Sequence, residues 1–307
     1  MADVTSPGER YGWVPPRDRS AAVEKLVEKL LSSMPTFFVS ELSRSTAGAR
    51  VVLWEFAKKI NGGKHLPTFR QEVGDCVSQG AANGVNYLSA MEIARLGDAE
   101  KHRSAFQPFI YGVSRVLVGG GRLGNSDGSV GAWAAEGVRR FGVLAADEQG
   151  VPGYSGNIAR QWGRRPGPPA TFIEKAKPHV VKSTAPVATY EQVRDALANG
   201  YPVTVASMQG FQMRARVDRG KHWGVPSGSW AHQMCFIGVD DDSRRPGCYC
   251  LNSWGPDAHG VPADDAPPGG FWVDAETVAR MTRQNDSFAF SQFEGFPEQD
   301  LDFRLVG

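Results

Sequence analysis

Residues 71–76 read Gln71-Glu72-Val73-Gly74-Asp75-Cys76 and lead into a run with apolar residues at helical spacing that continues to Leu96. Gly97 follows, so the pattern predicts a helix that begins at Cys76 and ends before this glycine. A cysteine in the first turn of a helix faces unpaired backbone N–H groups and the positive end of the helix dipole, and both favour its thiolate. Cys76 is therefore a candidate nucleophile.

The residues before Cys76 have predicted roles of their own. Gly74 allows a tight turn, and Asp75 is predicted to be the N-cap of the helix. The negative charge of Asp75 would oppose part of the dipole's effect on the thiol pKa. The Gln71 side-chain amide could point its N–H at a substrate carbonyl that becomes an oxyanion, with the Cys76 backbone N–H as a second donor.

A histidine and an asparagine follow far downstream, at the ends of two predicted strands. His232 begins an apolar run that ends at Val239, and a second run delivers Asn252 after an acidic turn. Antiparallel pairing of these runs would let Asn252 accept a hydrogen bond from one imidazole nitrogen while the other nitrogen faces the Cys76 sulfur. A thiol, a base, a residue that orients the base and an oxyanion donor are the groups that a cysteine hydrolase needs.

The run Asn252-Ser253-Trp254-Gly255 is identical to the Asn-Ser-Trp-Gly motif of papain-like cysteine peptidases, and the order Gln, Cys, His, Asn resembles theirs. The resemblance implies catalytic roles for Cys76, His232 and Asn252, with Gln71 at the oxyanion. It implies that Trp254, which we also place at the substrate cleft, shields the hydrogen bond between His232 and Asn252 from water. It also implies peptide-bond hydrolysis through an acyl-enzyme, without metal or cofactor.

Other segments extend the resemblance in patches over residues 65–295. Asp127-Gly128-Ser129-Val130 resembles the family's Gly-rich edge, which implies that Gly128 pairs its backbone with a substrate peptide. Residues 189–200 read as a capped helix that ends at a glycine, and strands are predicted from residue 201, at 269–273 and at 288–290. The implied fold is α+β and two-lobed, with a helical lobe, an antiparallel β-rich lobe and the cleft between them.

The first 60 residues precede the predicted peptidase domain, which spans residues 61–307. Residues 21–31 and 50–60 are predicted to be helices. The run Tyr11-Gly12-Trp13-Val14-Pro15-Pro16 resembles the Gly-Trp-Ile-Pro segment of some bacterial papain-like chains. Three roles remain open for residues 1–60, namely an inhibitory pro-segment, a docking arm for an assembly partner, and additional packing.

The remaining cysteines and histidines are predicted to have structural roles. Cys235, Cys248 and Cys250 are expected to be buried thiols, because no further Cys or His pair completes a zinc site. The histidines outside the motif are predicted to be surface or loop residues; they are His65, His102, His179, His222 and His259.

Composition limits the partners and the location. The chain has 307 residues, 41% of them hydrophobic, and a formal charge of +1, so it can bury a large core and nothing indicates nucleic acid as a partner. The first ten residues lack an apolar export core, and no apolar run approaches the ~20 residues that span a bilayer. The cysteine that commonly stands before the family's nucleophile is also absent. We therefore expect a cytoplasmic or particle-associated protein without membrane contact.

Two functions besides peptide hydrolysis are compatible with this pattern. The same fold could be a structural or peptide-binding component of a larger assembly, such as a phage particle, with little turnover. Alternatively, the site could transfer or hydrolyse an amide in a non-protein substrate such as cell-wall peptide. A complete set of reacting groups favours catalysis, because a scaffold has no physical need for all four.

Overall fold

A computed structural model describes residues 11–36, 46–97 and 100–297, and the structural statements below concern these residues. The α-helices are α1 (Ala21–Ser33), α2 (Trp54–Ile60), α3 (Cys76–Met91), α4 (Gln107–Gly112), α5 (Gly131–Arg140), α6 (Gly156–Trp162), α7 (Ala170–Ala176), α8 (Tyr190–Ala198) and α9 (Ala275–Thr282). The strands are β1 (Arg50–Val52), β2 (Glu100–Lys101), β3 (Val181–Pro186), β4 (Val203–Phe211), β5 (Arg216–Asp218), β6 (Lys221–Trp223), β7 (Pro226–Asp240), β8 (Gly247–Leu251), β9 (Gly270–Asp274), β10 (Phe288–Phe293) and β11 (Phe296–Pro297).

Helix α3 confirms the helix predicted from Cys76. All of its residues are buried, and it continues as a π-helical turn, Glu92–Leu96, before Gly97 adopts the left-handed conformation with φ of 74°. A helix that is buried on every side belongs to the interior of a domain. The α3 helix is therefore the centre of the molecule, and the nucleophile candidate stands at its N-terminus.

Two glycines one turn apart let α3 lie directly on the sheet. A Cβ on Gly80 would lie 3.1 Å from the Met234 carbonyl oxygen and 3.2 Å from Cγ of Gln233 in β7. A Cβ on Gly84 would lie 3.1 Å from the ring of Phe290 in β10. Any larger residue at these positions would push the helix away from the strands. The absent side chains thus bring the start of α3 close to the strand that carries His232.

The strands β3-β10-β4-β7-β8-β9-β6-β5 form one sheet in that order, and β1 also pairs with β7. Its pairs are antiparallel apart from β6 with β9. The register places Cys235 of β7 opposite Leu251 of β8, which confirms the predicted antiparallel neighbours. This pairing brings Asn252, the residue after β8, within hydrogen-bond distance of His232 in β7.

The helices of residues 76–176 form one lobe and the sheet forms the other. The helical lobe has an apolar cluster of its own around Phe106, Phe109 and Trp162, while α3 packs against β4, β7 and β10 and joins the lobes. This is the α+β, two-lobed arrangement that the sequence predicted. Among the helices of the described residues, none combines the length and the apolar character that crossing a bilayer requires.

The expected division at residue 60 does not coincide with a structural boundary. Residues 50–60, predicted to be a helix, form β1 and then α2; β1 pairs with β7, and the Trp54 ring lies 5.0 Å from that of Tyr249 inside the core. Long-range strand pairing therefore overrode the local helical pattern of Arg50–Val52. The predicted helix at 21–31 is confirmed by α1, which packs against α5 through a face that buries Val23 and Val27.

Candidate active site

His232, in the middle of β7, lies beside Asn252, which directly follows β8. The His232 Nε2 atom lies 2.7 Å from Asn252 Oδ1, and the Ser253 backbone N–H donates to the same oxygen over 2.7 Å. A backbone N–H can only donate, so the Asn252 atom that it contacts must be the oxygen. His232 Nε2 consequently carries a hydrogen, and its Nδ1 is left as the basic nitrogen.

The Cys76 sulfur lies against the strand residue that follows His232. The Gln233 backbone N–H donates to Cys76 Sγ at 3.4 Å, and the Gln233 side-chain amide donates to the Val77 carbonyl at 2.9 Å. Gln233 thereby joins β7 to the first turn of α3. The missing side chain of Gly80 makes the space for this large polar residue.

Gln71 is connected to the same centre through Ser253. The Ser253 hydroxyl donates to Gln71 Oε1 at 2.7 Å, and the Gln71 backbone N–H donates to the Ser253 carbonyl at 2.8 Å. Gln71 Nε2 donates to the Val73 carbonyl at 2.9 Å, on the turn that leads to Cys76. These bonds hold the Gln71 amide with its nitrogen toward the turn that precedes Cys76. The structure therefore brings Gln71, Cys76, His232 and Asn252 together.

Burial keeps the thiol and the imidazole neutral. It raises the pKa of Cys76 to about 12; the Gln233 N–H opposes this shift, the Asp75 charge adds to it, and the backbone N–H groups of Gly12 and Trp13 oppose it. Burial also lowers the pKa of His232 to about 4, against the effect of its hydrogen bond with Asn252. The resting pair is therefore thiol and neutral imidazole.

Asp75 departs from its predicted role as a cap. It occupies the N-cap position, but its side chain does not bond to the helix N–H groups; its Oδ2 accepts from Gln79 Nε2 at 2.8 Å and from the Tyr154 hydroxyl at 3.1 Å. Burial raises the pKa of Asp75 to about 7, against these two hydrogen bonds. The charge beside Cys76 is therefore partly neutralised near neutral pH.

Trp254 lies over the His232 ring, with centroids 4.8 Å apart. The prediction for His222 was wrong, because this histidine is buried in β6, whereas His259 lies in a loop as predicted but is buried as well. His259 Nε2 lies 2.8 Å from Asn252 Nδ2, and its ring packs near Trp254 and Trp230. A histidine seven residues after the asparagine gave no signal in the sequence, because only the loop fold brings it back.

Residues 11–14 run through the cleft between the two lobes. The N–H groups of Gly12 and Trp13 donate to the Ala231 carbonyl at 3.2 and 3.1 Å on the β side. On the helical side, the Val14 N–H donates to the Ser129 carbonyl at 2.9 Å, and the Ser129 N–H donates to the Gly12 carbonyl at 2.7 Å. The N-terminal segment therefore pairs its backbone with both walls.

The N-terminal segment covers the candidate catalytic groups closely. The Gly12 backbone lies directly against the backbone of Gly74, in the turn before Cys76. A Cβ on Gly12 would clash with the Gly74 carbonyl oxygen, so this contact requires glycine. The Tyr11 ring packs edge-on against the rings of His232 and Trp254, with centroids 6.3 and 6.1 Å away. Cys76 and His232 are at most 1% exposed as a result of this cover and the surrounding core.

Gly128 is close to this segment, but its own backbone groups are engaged elsewhere. Its N–H donates to the Tyr111 hydroxyl at 2.8 Å, and its carbonyl accepts from the Arg115 guanidinium. A Cβ on Gly128 would lie 3.0 Å from the Gly12 carbonyl oxygen. The residue that pairs with the peptide in the cleft is Ser129, one position after the predicted one.

A buried carboxylate anchors the N-terminal segment outside the cleft. Asp286 Oδ2 accepts from Trp13 Nε1 at 2.6 Å and from Arg19 Nη2 at 2.8 Å. The backbone N–H groups of Gly131 and Ala132, at the start of α5, donate to the same carboxylate at 2.9 and 2.7 Å. The helix N-terminus stabilises this negative charge. Sequence reasoning missed Asp286, because no motif surrounds it.

Within the described ranges, no group of three or more His, Cys, Asp or Glu side chains is arranged to hold a metal ion. The thiols of Cys235, Cys248 and Cys250 are free and buried in the sheet.

The fold is that of the papain-like cysteine proteases. Xylellain, a cysteine protease from Xylella fastidiosa, is similar with a TM-score of 0.59 and 15% identity over 93% of this chain and 97% of its own. Digestive procathepsin L 3 of the Tenebrio molitor larval midgut has a TM-score of 0.58 and 12% identity over 88% and 79%, and procathepsin B S9 from Trypanosoma congolense has 0.55 and 13% over 93% and 91%. No protein-family model and no curated protein matches the sequence.

Proposed function

We propose that this protein is a papain-like cysteine peptidase that hydrolyses peptide bonds through a Cys76 acyl-enzyme. The observation that carries the proposal is the His232–Asn252 hydrogen bond of 2.7 Å, which stands beside a cysteine at the N-terminus of a buried helix. The polarity of this bond leaves His232 Nδ1 as the base. The similarity to cysteine proteases at 12–15% identity agrees with this proposal through the fold.

In the proposed reaction, His232 Nδ1 takes the Cys76 proton and the thiolate attacks the substrate carbonyl carbon. The Cys76 backbone N–H and the Gln71 amide stabilise the oxyanion, and Ser253 holds that amide in place through its hydroxyl. The protonated His232 then gives its proton to the leaving amine. A water molecule, deprotonated by His232, releases the acyl group and restores the thiol.

We also propose that the N-terminal segment is an inhibitory pro-segment. Its Gly12 and Trp13 N–H groups donate to the Ala231 carbonyl, and its other edge pairs with Ser129, so the segment occupies the cleft where a substrate peptide would lie. Its pairing with Ser129 is parallel. Two of the similar structures are described as procathepsins and match 88% and 93% of this chain, which extends into the first 60 residues. We propose that removal of this segment occurs between molecules, because hydrogen bonds to both walls of the cleft hold its backbone in place.

The test combines an inhibitor and a time course on the full chain. Treatment with an epoxide inhibitor of papain-like peptidases at pH 5 to 8 should add one inhibitor mass at Cys76, and neither Cys76→Ala nor His232→Ala should react. In parallel, the wild type should lose its N-terminal segment at a rate that rises with protein concentration, and it should also trim added Cys76→Ala protein.

The alternatives correspond to other outcomes. A chain that never forms the adduct, even after the N-terminal segment has been removed by an added protease, would be a peptide-binding component of an assembly. A chain that forms the adduct but trims neither itself nor peptide libraries would act on an amide of another substrate class. Cys235→Ala is a matched control, since this buried thiol lies in the sheet and its removal should leave the adduct intact.

A further inference from the structure

His259 stands behind the asparagine of the candidate active site. Its Nε2 lies 2.8 Å from Asn252 Nδ2, and the Phe271 ring packs edge-on against its ring with centroids 4.7 Å apart. His259 is 2% exposed and adopts a left-handed backbone conformation with φ of 67°. A non-glycine residue in this region is strained and persists only where its surroundings hold it.

The hydrogen-bond polarity around Asn252 determines the state of His259. The Ser253 N–H marks the atom that faces His232 as Oδ1, so the atom that faces His259 is the NH₂ group. An NH₂ group can only donate here, and His259 Nε2 must therefore accept through its lone pair. The ring is neutral and carries its proton on Nδ1.

We propose that His259 is a positioning residue for the peptidase reaction proposed above. By accepting from the Asn252 amide it holds Oδ1 toward His232, and this fixes His232 in the Nε2–H tautomer whose Nδ1 can take the Cys76 proton. Without the acceptor, only the Ser253 N–H opposes rotation of the amide group, which would offer its NH₂ to His232. The imidazole would then take the other tautomer, with a hydrogen directed at the sulfur.

Two substitutions of matched size separate this role from packing. Gln and Met have side chains of similar length and flexibility, but only Gln has an oxygen that can accept from Asn252. His259→Gln should keep the Nε2–H tautomer of His232, whereas His259→Met should populate both tautomers. Two-bond ¹H–¹⁵N correlation spectra of the ¹⁵N-labelled full chain report the tautomers and require neither turnover nor inhibitor.

The inhibitor reaction gives a second readout. The rate of adduct formation at Cys76 should fall about tenfold in His259→Met, which corresponds to the net value of one hydrogen bond, and should recover within about threefold in His259→Gln. In an Asn252→Ala background, the two His259 variants should be equal, because the amide through which His259 acts is absent.

Equal losses in the Gln and Met variants, or no loss in either, would overturn the proposal and leave the peptidase function standing. If the Met variant does not fold, the wild-type spectrum decides alone, since a His259 ring protonated on Nε2 contradicts the proposed acceptor. If the tautomers respond as expected but the chain never reacts with the inhibitor, the positioning role stands and the peptidase function fails.

Discussion

The substitution Trp13→Phe is expected to open the active-site cleft without removing any catalytic group. Phe keeps most of the buried ring of Trp13 and loses the indole N–H that donates to Asp286 over 2.6 Å. The accepting carboxylate is fully buried and is paired with Arg19, so it is charged. The substitution therefore weakens the anchor of the N-terminal segment.

The size of the effect follows from the kind of bond that is lost. A hydrogen bond to a charged group is worth about 1.5–3 kcal/mol, and the smaller ring adds a cavity cost of the same sign. If the substitution destabilises only the closed state, by about 2 kcal/mol, the population of molecules with the N-terminal segment released should rise about 30-fold, because 1.4 kcal/mol corresponds to tenfold.

Alkylation of Cys76 measures this population. Where opening and closing are fast relative to the reaction, the alkylation rate is proportional to the open fraction. Iodoacetamide labelling followed by peptide mass spectrometry should show an increase of about 30-fold at Cys76 in Trp13→Phe. Cys235 serves as an internal reference, since it is fully buried in the sheet and becomes accessible only on wider unfolding.

A matched control separates local opening from loss of stability. Trp162→Phe makes the same exchange in the helical lobe, where the ring lies between Phe106 and Phe172 at 5.4 and 5.5 Å. It should lower the melting temperature without raising the Cys76 rate. If Cys76 labelling is unchanged in Trp13→Phe, or rises only in parallel with Cys235, the N-terminal segment is not what closes the cleft.

Four further substitutions test other parts of the molecule. Gly80→Ala would place a Cβ 3.1 Å from a β7 carbonyl oxygen, so the free energy of unfolding should fall by about 1–3 kcal/mol in urea titrations, and an unchanged midpoint would contradict the close helix–sheet contact. Gln71→Ala should slow peptide hydrolysis about 10²–10³-fold. Ser253→Ala should slow hydrolysis less, and the double variant should be no slower than Gln71→Ala alone. Additive losses would mean that Ser253 does not act through Gln71. Burial lowers the His232 pKa to about 4 from an ordinary 6.5. The contribution of neutral His232 to the unfolding free energy is therefore complete above pH 6.5, and about 3 kcal/mol is lost as the pH falls from 6.5 to 4. The raised pKa of Asp75 has the opposite effect on the unfolding free energy in this pH range. The measurement is therefore the difference in unfolding free energy between the wild type and His232→Gln, in which the effect of Asp75 cancels. A difference that does not change with pH would refute the lowered pKa of His232.

The sequence was sufficient for the elements whose signals are local. Helical spacing and a terminal glycine located α3 and the π-helical turn that continues it to Leu96, and apolar runs located the strands that deliver His232 and Asn252. The pairing of these strands followed because neighbouring antiparallel strands joined by a short turn have few alternatives. The order of the four candidate groups was therefore accessible from the chain alone, and the two-lobed fold was implied by the resemblance of its motifs to those of papain-like peptidases.

The occupation of the cleft was decided only by the tertiary structure. Gly12 and Trp13 bond to Ala231, and Trp13 bonds to Asp286, so each contact joins residues far apart in the chain. Hydrophobic periodicity describes one element at a time and carries no information about such pairs. Likewise, the strand at Arg50–Val52 forms because β7 offers an open edge, against the local helical pattern.

The same distinction explains the fine structure of the candidate site. The motif Asn252-Ser253-Trp254-Gly255 indicated that an asparagine would orient His232, and this follows from residue identity. The second partner of that asparagine, His259, could not be predicted, because a loop with a strained backbone returns the ring to the amide and loop geometry has no periodic pattern in the sequence. Residue identity thus determined which reacting groups the chain contains, while the three-dimensional packing determined their hydrogen-bond polarity, their burial and the segment that covers them.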